Sequence, residues 1–276
     1  MKKILFFVKK KYLLLIFAYI VSDILNRIKY RFNLISTESG TRHKEQSLEK
    51  SCKYIYEVFN DYKNISGLSA FYGKVAEVGT GDSDGVGLMF LLDGCKEVDL
   101  IDRFFSVRDK EYQNYILKSL IKKSQTGSCS SVSLKDLKKN LNRFYGPSAA
   151  AETFFSKHSG YNFIVSRAVF EHLYNPILAL SLMIESSAQG GVLIHKVDLR
   201  DHGLFSINFH ELKFLQPSKF IYKQMTKGSG RPNRVLLNQY VSFLEKSNLK
   251  FKIFITRLVG VGEIVPPMPW EKINKI

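Results

Sequence analysis

The chain has 276 residues, 45% of them hydrophobic and 13% aromatic, which is enough to bury one large core and too few for two full domains. Its 41 Lys and Arg against 25 Asp and Glu leave a formal charge of +16, a balance that favours anionic partners such as acidic lipid or phosphorylated carriers. Cys52, Cys95 and Cys129 are widely spaced with no C-x-x-C pair; this excludes a disulfide framework and a cysteine zinc site, and suits a reducing compartment. No metal is expected.

Residues 1–32, MKKILFFVKKKYLLLIFAYIVSDILNRIKYRF, open with Lys2 and Lys3 as a secretory signal does. Lys9, Lys10 and Lys11 then break the apolar run and no small-x-small site follows, so cleavage is not expected. The uninterrupted apolar run 12–21 is about half of what a spanning helix needs. Leu13, Leu14, Phe17, Ile20, Val21, Ile24, Leu25, Ile28 and Phe32 share one stripe at helical spacing, with Asp23, Asn26, Arg27 and Lys29 off it. Residues 1–48 carry ten Lys and Arg against three Asp and Glu. A basic amphipathic helix of this kind reads as an anchor lying on an acidic membrane face, peripheral and on the cytoplasmic side. The alternative is a stripe packed on the main domain or on a second copy of the chain.

Residues 33–47 are polar and read as a linker, leaving a folded domain over 48–276. Within it the pattern predicts a helix at 48–63, a strand at 74–78, a glycine turn, a helix at 84–92, a strand at 97–101 and a helix at 109–122. A serine-rich loop spans 123–133. Residues 134–157 read as helical or irregular, so the third strand has no clear place. A strand at 161–165 leads into a helix opening at 168–173 and continuing over 178–187. Gly190 and Gly191 then turn the chain into a strand at 192–197. Residues 199–233 are irregular, with a short helix at 217–225, and are too long for an ordinary connection; they are expected to form a lid over the acceptor. A helix at 236–246 and a strand at 251–259 follow. Alternation of this kind predicts an α/β, Rossmann-like, mostly parallel sheet with helices on both faces, preceded by an N-terminal amphipathic helix.

The stretch GKVAEVGTGDSDGVG (73–87) departs from the dinucleotide turn G-x-G-x-x-G, because Asp84 stands at the third glycine. Two carboxylates, Asp82 and Asp84, beside a pyrophosphate would repel it. Glu77, Gly79 and Gly81 resemble the acid-x-Gly-x-Gly signature of the class I S-adenosylmethionine-dependent methyltransferases, with Ser83 where a further glycine is common. VDLIDRF puts Asp102 at the end of the second strand, where an acid accepts ribose hydroxyls. YNFIVSRAVFEHL resembles the fourth-strand motif of the small-molecule, lipid and glycan methyltransferases, of the type 11 kind, with Asn162 for the usual Asp and with Glu171-His172 on the following helix. SSAQGGVLIHKVDLRDH resembles that family's fifth strand. The resemblance covers roughly residues 50–200; it implies S-adenosylmethionine as cofactor, held by Glu77, Gly79, Thr80, Gly81, Asp82, Asp102, Arg103 and Ser166. The acid-small pair that contacts adenine after the third strand is not evident; FYGPSAAAE stands in that region.

Methyl transfer needs a nucleophile aligned with the departing sulfur, and a hydroxyl acceptor gains from a base. Histidine suits neutral pH. His43 and His158 read as surface residues. His202 with Asp201 is the first choice of base and His195 with Asp198 the second, with loop solvation the plain alternative. Arg231 and Arg234 read as an anion clamp or a charged lid rim. The family's layout implies O-methylation of a glycan or lipid-linked sugar, with a quinone or other small molecule as the alternative. An RNA methyltransferase is disfavoured, since Ser166-Arg167-Ala168-Val169 replaces the Pro-Pro-aromatic turn of base-amine enzymes, and nucleic acid is not an expected partner. A non-catalytic donor-binding module and an oxidoreductase complete the alternatives.

Overall fold

The computed structural model describes residues 12–32, 36–37, 43–124, 133–207, 209–228 and 230–275. The first eleven residues of the expected anchor, most of the serine-rich loop and Cys129 lie outside the described residues. Five strands form one parallel sheet: β1 (Gly73–Val78), β2 (Cys95–Asp102), β3 (Leu141–Tyr145), β4 (Tyr161–Arg167) and β5 (Ser187–Lys196), in the order β3-β2-β1-β4-β5. The order reverses between β1 and β4, and in such sheets the crevice beyond the strands' carboxyl ends at that point is where ligands bind.

Strand alternation fills two cores. Val75, Val98, Leu100, Phe163 and Val165 face helices α2 (Leu48–Ser66), α3 (Gly85–Asp93) and α4 (Lys110–Ser124). Their sequence neighbours Ala76, Ile101 and Ile164 face the opposite way, because successive side chains leave a strand on opposite sides. After the short α5 (Leu134–Lys139), that second face is covered by α6 (Ala151–Phe154) and α7 (Pro176–Ser186), and by α9 (Leu237–Lys246), which follows α8 (Lys219–Thr226). Burial on both faces explains why the central strands read as near-continuous apolar runs. α2 is delimited locally: Ser47 accepts from the Lys50 amide at its start, and Gly67 closes it at φ 68°, as N-cap and C′ preferences require.

Three expectations are corrected. The missing third strand is β3, an edge strand with no buried residue, so it shows no apolar alternation to read. The expected helix over 168–173 is a short 3-10 turn, Phe170–His172, after which α7 starts separately with Asn175 capping the Leu178 amide. The strand expected at 251–259 does not extend the main sheet; β6 (Phe254–Leu258) pairs antiparallel with β7 (Gly262–Pro269) in a separate hairpin. Pro266, Pro267 and Pro269 mask β7, since proline lacks the amide that a ladder uses.

The N-terminal helix α1 (Tyr12–Arg31) lies against the segment 199–233, but not by the face the sequence suggested. Leu15, Ile16 and Tyr19 are buried against Leu204, Phe205, Phe214, Tyr222 and Met225. The Tyr19 hydroxyl donates to the Leu204 carbonyl at 2.9 Å, and the fully buried Asp23 accepts from the Gly228 amide at 3.0 Å and pairs with Arg27. The stripe read from sequence stays in solvent instead: Leu13 is 76% exposed, Phe17 65% and Phe32 66%, with Leu14, Val21, Ile24, Leu25 and Ile28 exposed between them. The helix is apolar on two faces. Among the described residues no helix is long and apolar enough to cross a membrane.

Candidate functional site

At the carboxyl ends of β1 and β4 the chain leaves a cavity of about 420 Å³, within the roughly 300–1,000 Å³ of small-molecule pockets. The glycine turn forms one wall. Gly79 has φ 80° and Gly81 φ 61°, conformations that only glycine adopts cheaply. A β-carbon on Gly79 would also stand 2.2 Å from the Val169 side chain. The turn therefore needs both glycines, one for backbone shape and one for shape and close approach.

The two aspartates do not line this cavity as free charges, which corrects the sequence reading. Asp84 sits at the start of α3 and is held by two guanidiniums, Arg143 at 2.7 Å and Arg108. The same two arginines donate to the Gly81 carbonyl, at 2.8 and 3.0 Å. Asp82 does face the cavity, but its Oδ2 accepts the His43 amide at 2.9 Å. The helix start that would meet a pyrophosphate is thus occupied by a neutralised carboxylate. The acid left for a ligand is Glu77, buried, with Oε2 unpartnered; burial, and then the charge of Asp84, push its carboxyl up to about 8.

Asp102 ends β2 at the cavity edge. Its oxygens accept the Gly81 and Phe104 amides at 3.3 and 3.0 Å, and each keeps a lone pair for a hydroxyl; burial raises its pKa. Arg103 lies between the rings of Phe104 and Tyr174, at 4.5 and 4.0 Å, donates to the His172 carbonyl at 3.3 Å, and keeps Nη1 buried without a partner. Thr80 Oγ1 and His43 Nδ1 are orphaned in the same way. Orphaned buried polar atoms are rare in folded proteins; four residues of one cavity wall carry them here.

The opposite corner is built by segments far apart in sequence. His202, in the left-handed region at φ 50°, stacks edge-on against His172 with ring centres 4.9 Å apart. Its Nε2 lies 3.4 Å from Asp198 Oδ2 and 3.7 Å from Glu171 Oε1. The Asp198 contact raises the His202 pKa. Asp198 itself is pushed up by burial, but hydrogen bonds from Arg200 and His202 outweigh this and hold it well below the carboxylate range. His172 donates through Nδ1–H to the Gly230 carbonyl, 2.7 Å away, and burial followed by the charge of His202 lowers it to about 4. Burial raises Glu171 to about 7.

Seven expected donor residues, Glu77, Gly79, Thr80, Gly81, Asp82, Asp102 and Arg103, line the cavity together. Ser166 does not; it is fully buried with its hydroxyl 2.8 Å from His195 Nδ1. His195 does not line the cavity either: it packs on Phe170, ring centres 4.4 Å apart, and burial lowers it to about 3. Asp201 does not partner His202. Its carboxylate accepts the amides of Gly203, Phe205 and Ser206 and the Ser206 hydroxyl, so it shapes the loop, and Asp198 takes the partner role. Arg231 and Arg234 are no anion clamp, because they hold backbone carbonyls of Tyr19 and Met225 and of Pro217 and Phe214. His43, read as a surface residue, is 4% exposed and lines the cavity; its isolated place in a polar segment carried no signal. Arg167 also lines it and pairs with Asp61.

No protein-family profile and no curated protein matches the chain. Solved structures resemble it distantly. A candidate sarcosine dimethylglycine methyltransferase from Galdieria sulphuraria is 13% identical, over 79% of this chain and 68% of that one, with a TM-score of 0.45. A candidate S-adenosylmethionine-dependent methyltransferase from Methanococcus maripaludis is 11% identical, over 80% and 90%, at 0.43. Phosphoethanolamine N-methyltransferase 2 from Haemonchus contortus, in complex with S-adenosylmethionine, is 13% identical, over 72% and 37%, at 0.41. Likeness at this level carries no argument about activity; what belongs to this chain is a Rossmann-like parallel sheet with a ligand-sized cavity at its switch point.

Proposed function

We propose that the chain is an S-adenosylmethionine-dependent methyltransferase that O-methylates a glycan or lipid-linked sugar at the acidic cytoplasmic face of a membrane. The observation that carries the donor is the set of orphaned groups around the glycine turn. Glu77 offers one unpaired carboxyl oxygen and Arg103 an unpaired guanidinium nitrogen, which suits a ligand with an amine, a carboxylate and a sulfonium. The dianionic pyrophosphate of a nicotinamide dinucleotide finds the start of α3 taken by Asp84. Asp102 stands ready for ribose hydroxyls. Bound there, the cofactor supplies an electrophilic methyl group.

Of the base candidates, only His202 reaches the cavity. Activation of the acceptor hydroxyl is therefore assigned to the corner of Glu171, His172 and His202. The membrane reading is supported by the exposed apolar stripe of α1 and the excess of ten over three charged residues in 1–48, since interfacial helices combine buried apolar area with attraction to anionic lipid.

Calorimetry with S-adenosylhomocysteine and NAD tests the donor: binding of the first alone is expected, and uptake of NAD alone sinks the proposal. Mass spectrometry of surface glycans and lipids from cells with and without the protein should show a one-methyl difference. Vesicle flotation tests the surface: the protein should float with anionic and not neutral vesicles, and Phe17→Asp should release it. Equal flotation of the variant, or self-association in place of flotation, removes the membrane reading.

A further inference from the structure

Donor binding leaves the corner opposite the glycine turn unexplained. Glu171, His172 and His202 each offer one ligand atom, and the three atoms lie within 4.8 Å of one another. Glu171 is 2% exposed and no side chain donates a hydrogen bond to its carboxylate; only the backbone amides of Glu171 and Asp198 favour its charged form from nearby, without well-formed geometry. Its nearest cationic neighbour, His202 Nε2 at 3.7 Å, is too far to count as one. A buried carboxylate in that position is costly unless a cation meets it. The Nδ1 of His172 is engaged with the Gly230 carbonyl at 2.7 Å. A carbonyl can only accept, so Nδ1 carries the proton and the other ring nitrogen keeps the lone pair. A backbone carbonyl fixing the tautomer in this way is how proteins orient a metal-ligating imidazole.

We propose that Glu171, His172 and His202 bind one divalent ion of the zinc class at the cavity wall. Two imidazoles and one carboxylate suit zinc and its first-row neighbours, whereas magnesium and calcium take oxygen ligands. Three protein ligands leave a coordination position open. The His202 side chain is 31% exposed, so an ion has a route in from solvent. With metal–ligand bonds of about 2.0–2.2 Å, the three ligand atoms need to draw together by about 1 Å. Asp198, 3.4 Å from His202 and itself held by Arg200 at 2.8 Å, stands beside the site as a further anchor. Spacing alone did not reveal the set, because Glu171 and His172 lie some thirty residues before His202.

What the ion does rests on the methyltransferase reading. An ion held by these residues would supply Lewis acidity to the acceptor hydroxyl, whose proton would pass to solvent water as its oxygen forms the bond to the methyl carbon. The carbon–sulfur bond breaks with its electron pair going to sulfur, which turns the sulfonium into a neutral thioether. With the ion bound, His202 would give its lone pair to the metal, and the proton-accepting role that it has without the ion would pass to solvent water.

The test uses the full chain, stripped with a chelator and titrated with Co²⁺ by visible absorption and with Zn²⁺ by calorimetry. One equivalent of each should bind. Glu171→Gln, His172→Ala and His202→Ala should each lose about tenfold or more in affinity, while His210→Ala, an exposed residue, keeps it. Glu171→Gln preserves shape and serves if an alanine variant does not fold, and Zn²⁺ should raise the melting temperature of the natural chain but not of this variant. Absence of saturable Co²⁺ and Zn²⁺ binding, or binding equal in all three variants, overturns the site. S-adenosylhomocysteine binding in the same samples separates the two readings. Donor binding without the ion overturns only the metal; ion binding without the donor overturns only the methyl transfer.

Discussion

On the glycine-turn wall most residues come from two short stretches, 77–82 and 102–103, each at the end of a central strand, with His43 beside them. On the opposite wall His172, His202 and Gly230 come from three segments separated by about thirty residues each. Each wall has a buried acid at or behind it, Glu77 with one unpartnered oxygen on the first and Glu171 beneath His172 and His202 on the second. The first wall is held by the sheet; the second includes His202 and Gly230 from the segment 199–233, which packs on the N-terminal helix through Leu15, Ile16, Tyr19 and Asp23. The contrast teaches that one side of the cavity is a property of the strand-turn unit, while the other depends on how 199–233 and α1 pack together.

Separating chemistry from binding gives the largest effect. His202→Ala should lower methyl transfer by about 10²–10⁴-fold, measured by product formation, while calorimetry shows the donor still bound; loss of donor affinity alone would erase the distinction between the walls.

The next effect is in pH. Glu77 ionises near 8 in the folded chain and at 4.5 when its burial is lost, so the native state holds a proton that the unfolded state has released. Its contribution is full below 4.5 and is lost as pH rises through 8. Glu171, raised to about 7, acts in the same direction. Chemical denaturation from pH 5 to 9 should show stability falling, and Glu77→Gln should flatten that fall. An unchanged slope in the variant would mean that Glu77 is not the buried acid described.

Gly79→Val sharpens the donor side. The combined cost of a left-handed φ and a β-carbon 2.2 Å from Val169 should be about 2–4 kcal/mol, read by thermal melting, with loss of S-adenosylhomocysteine binding. Asp23→Ala addresses the other side with a smaller effect. It strips the Gly228 amide and Arg27 of their partner and should cost about 1–3 kcal/mol. Proteolysis should then open the 199–234 region while donor affinity survives.

Much of the donor side was legible because its information is local. A glycine turn between a strand and a helix, and an acid at the end of the next strand, are spacings along the chain. β3 was illegible because an edge strand with only half-buried residues has no apolar alternation, and β7 because prolines hide it. The partner of His202 was read wrongly for a reason of the same kind. Asp201 is its sequence neighbour, yet the loop turns through φ 50° at His202 and points the imidazole at Asp198 and Glu171, leaving Asp201 to bind amides.

The amino-acid order by itself determined the parallel α/β sheet, the place of its ligand crevice and the residues of the glycine turn, since apolar periodicity and backbone freedom act over a few residues. It also marked α1 as apolar and basic. Only the tertiary structure decided which face of α1 docks, which of the histidines meets the cavity, and that Asp84 is neutralised by Arg108 and Arg143. Those outcomes depend on which charges and apolar surfaces the fold brings together across separations from 24 to 205 residues of chain, and no spacing along the sequence records that distance in space.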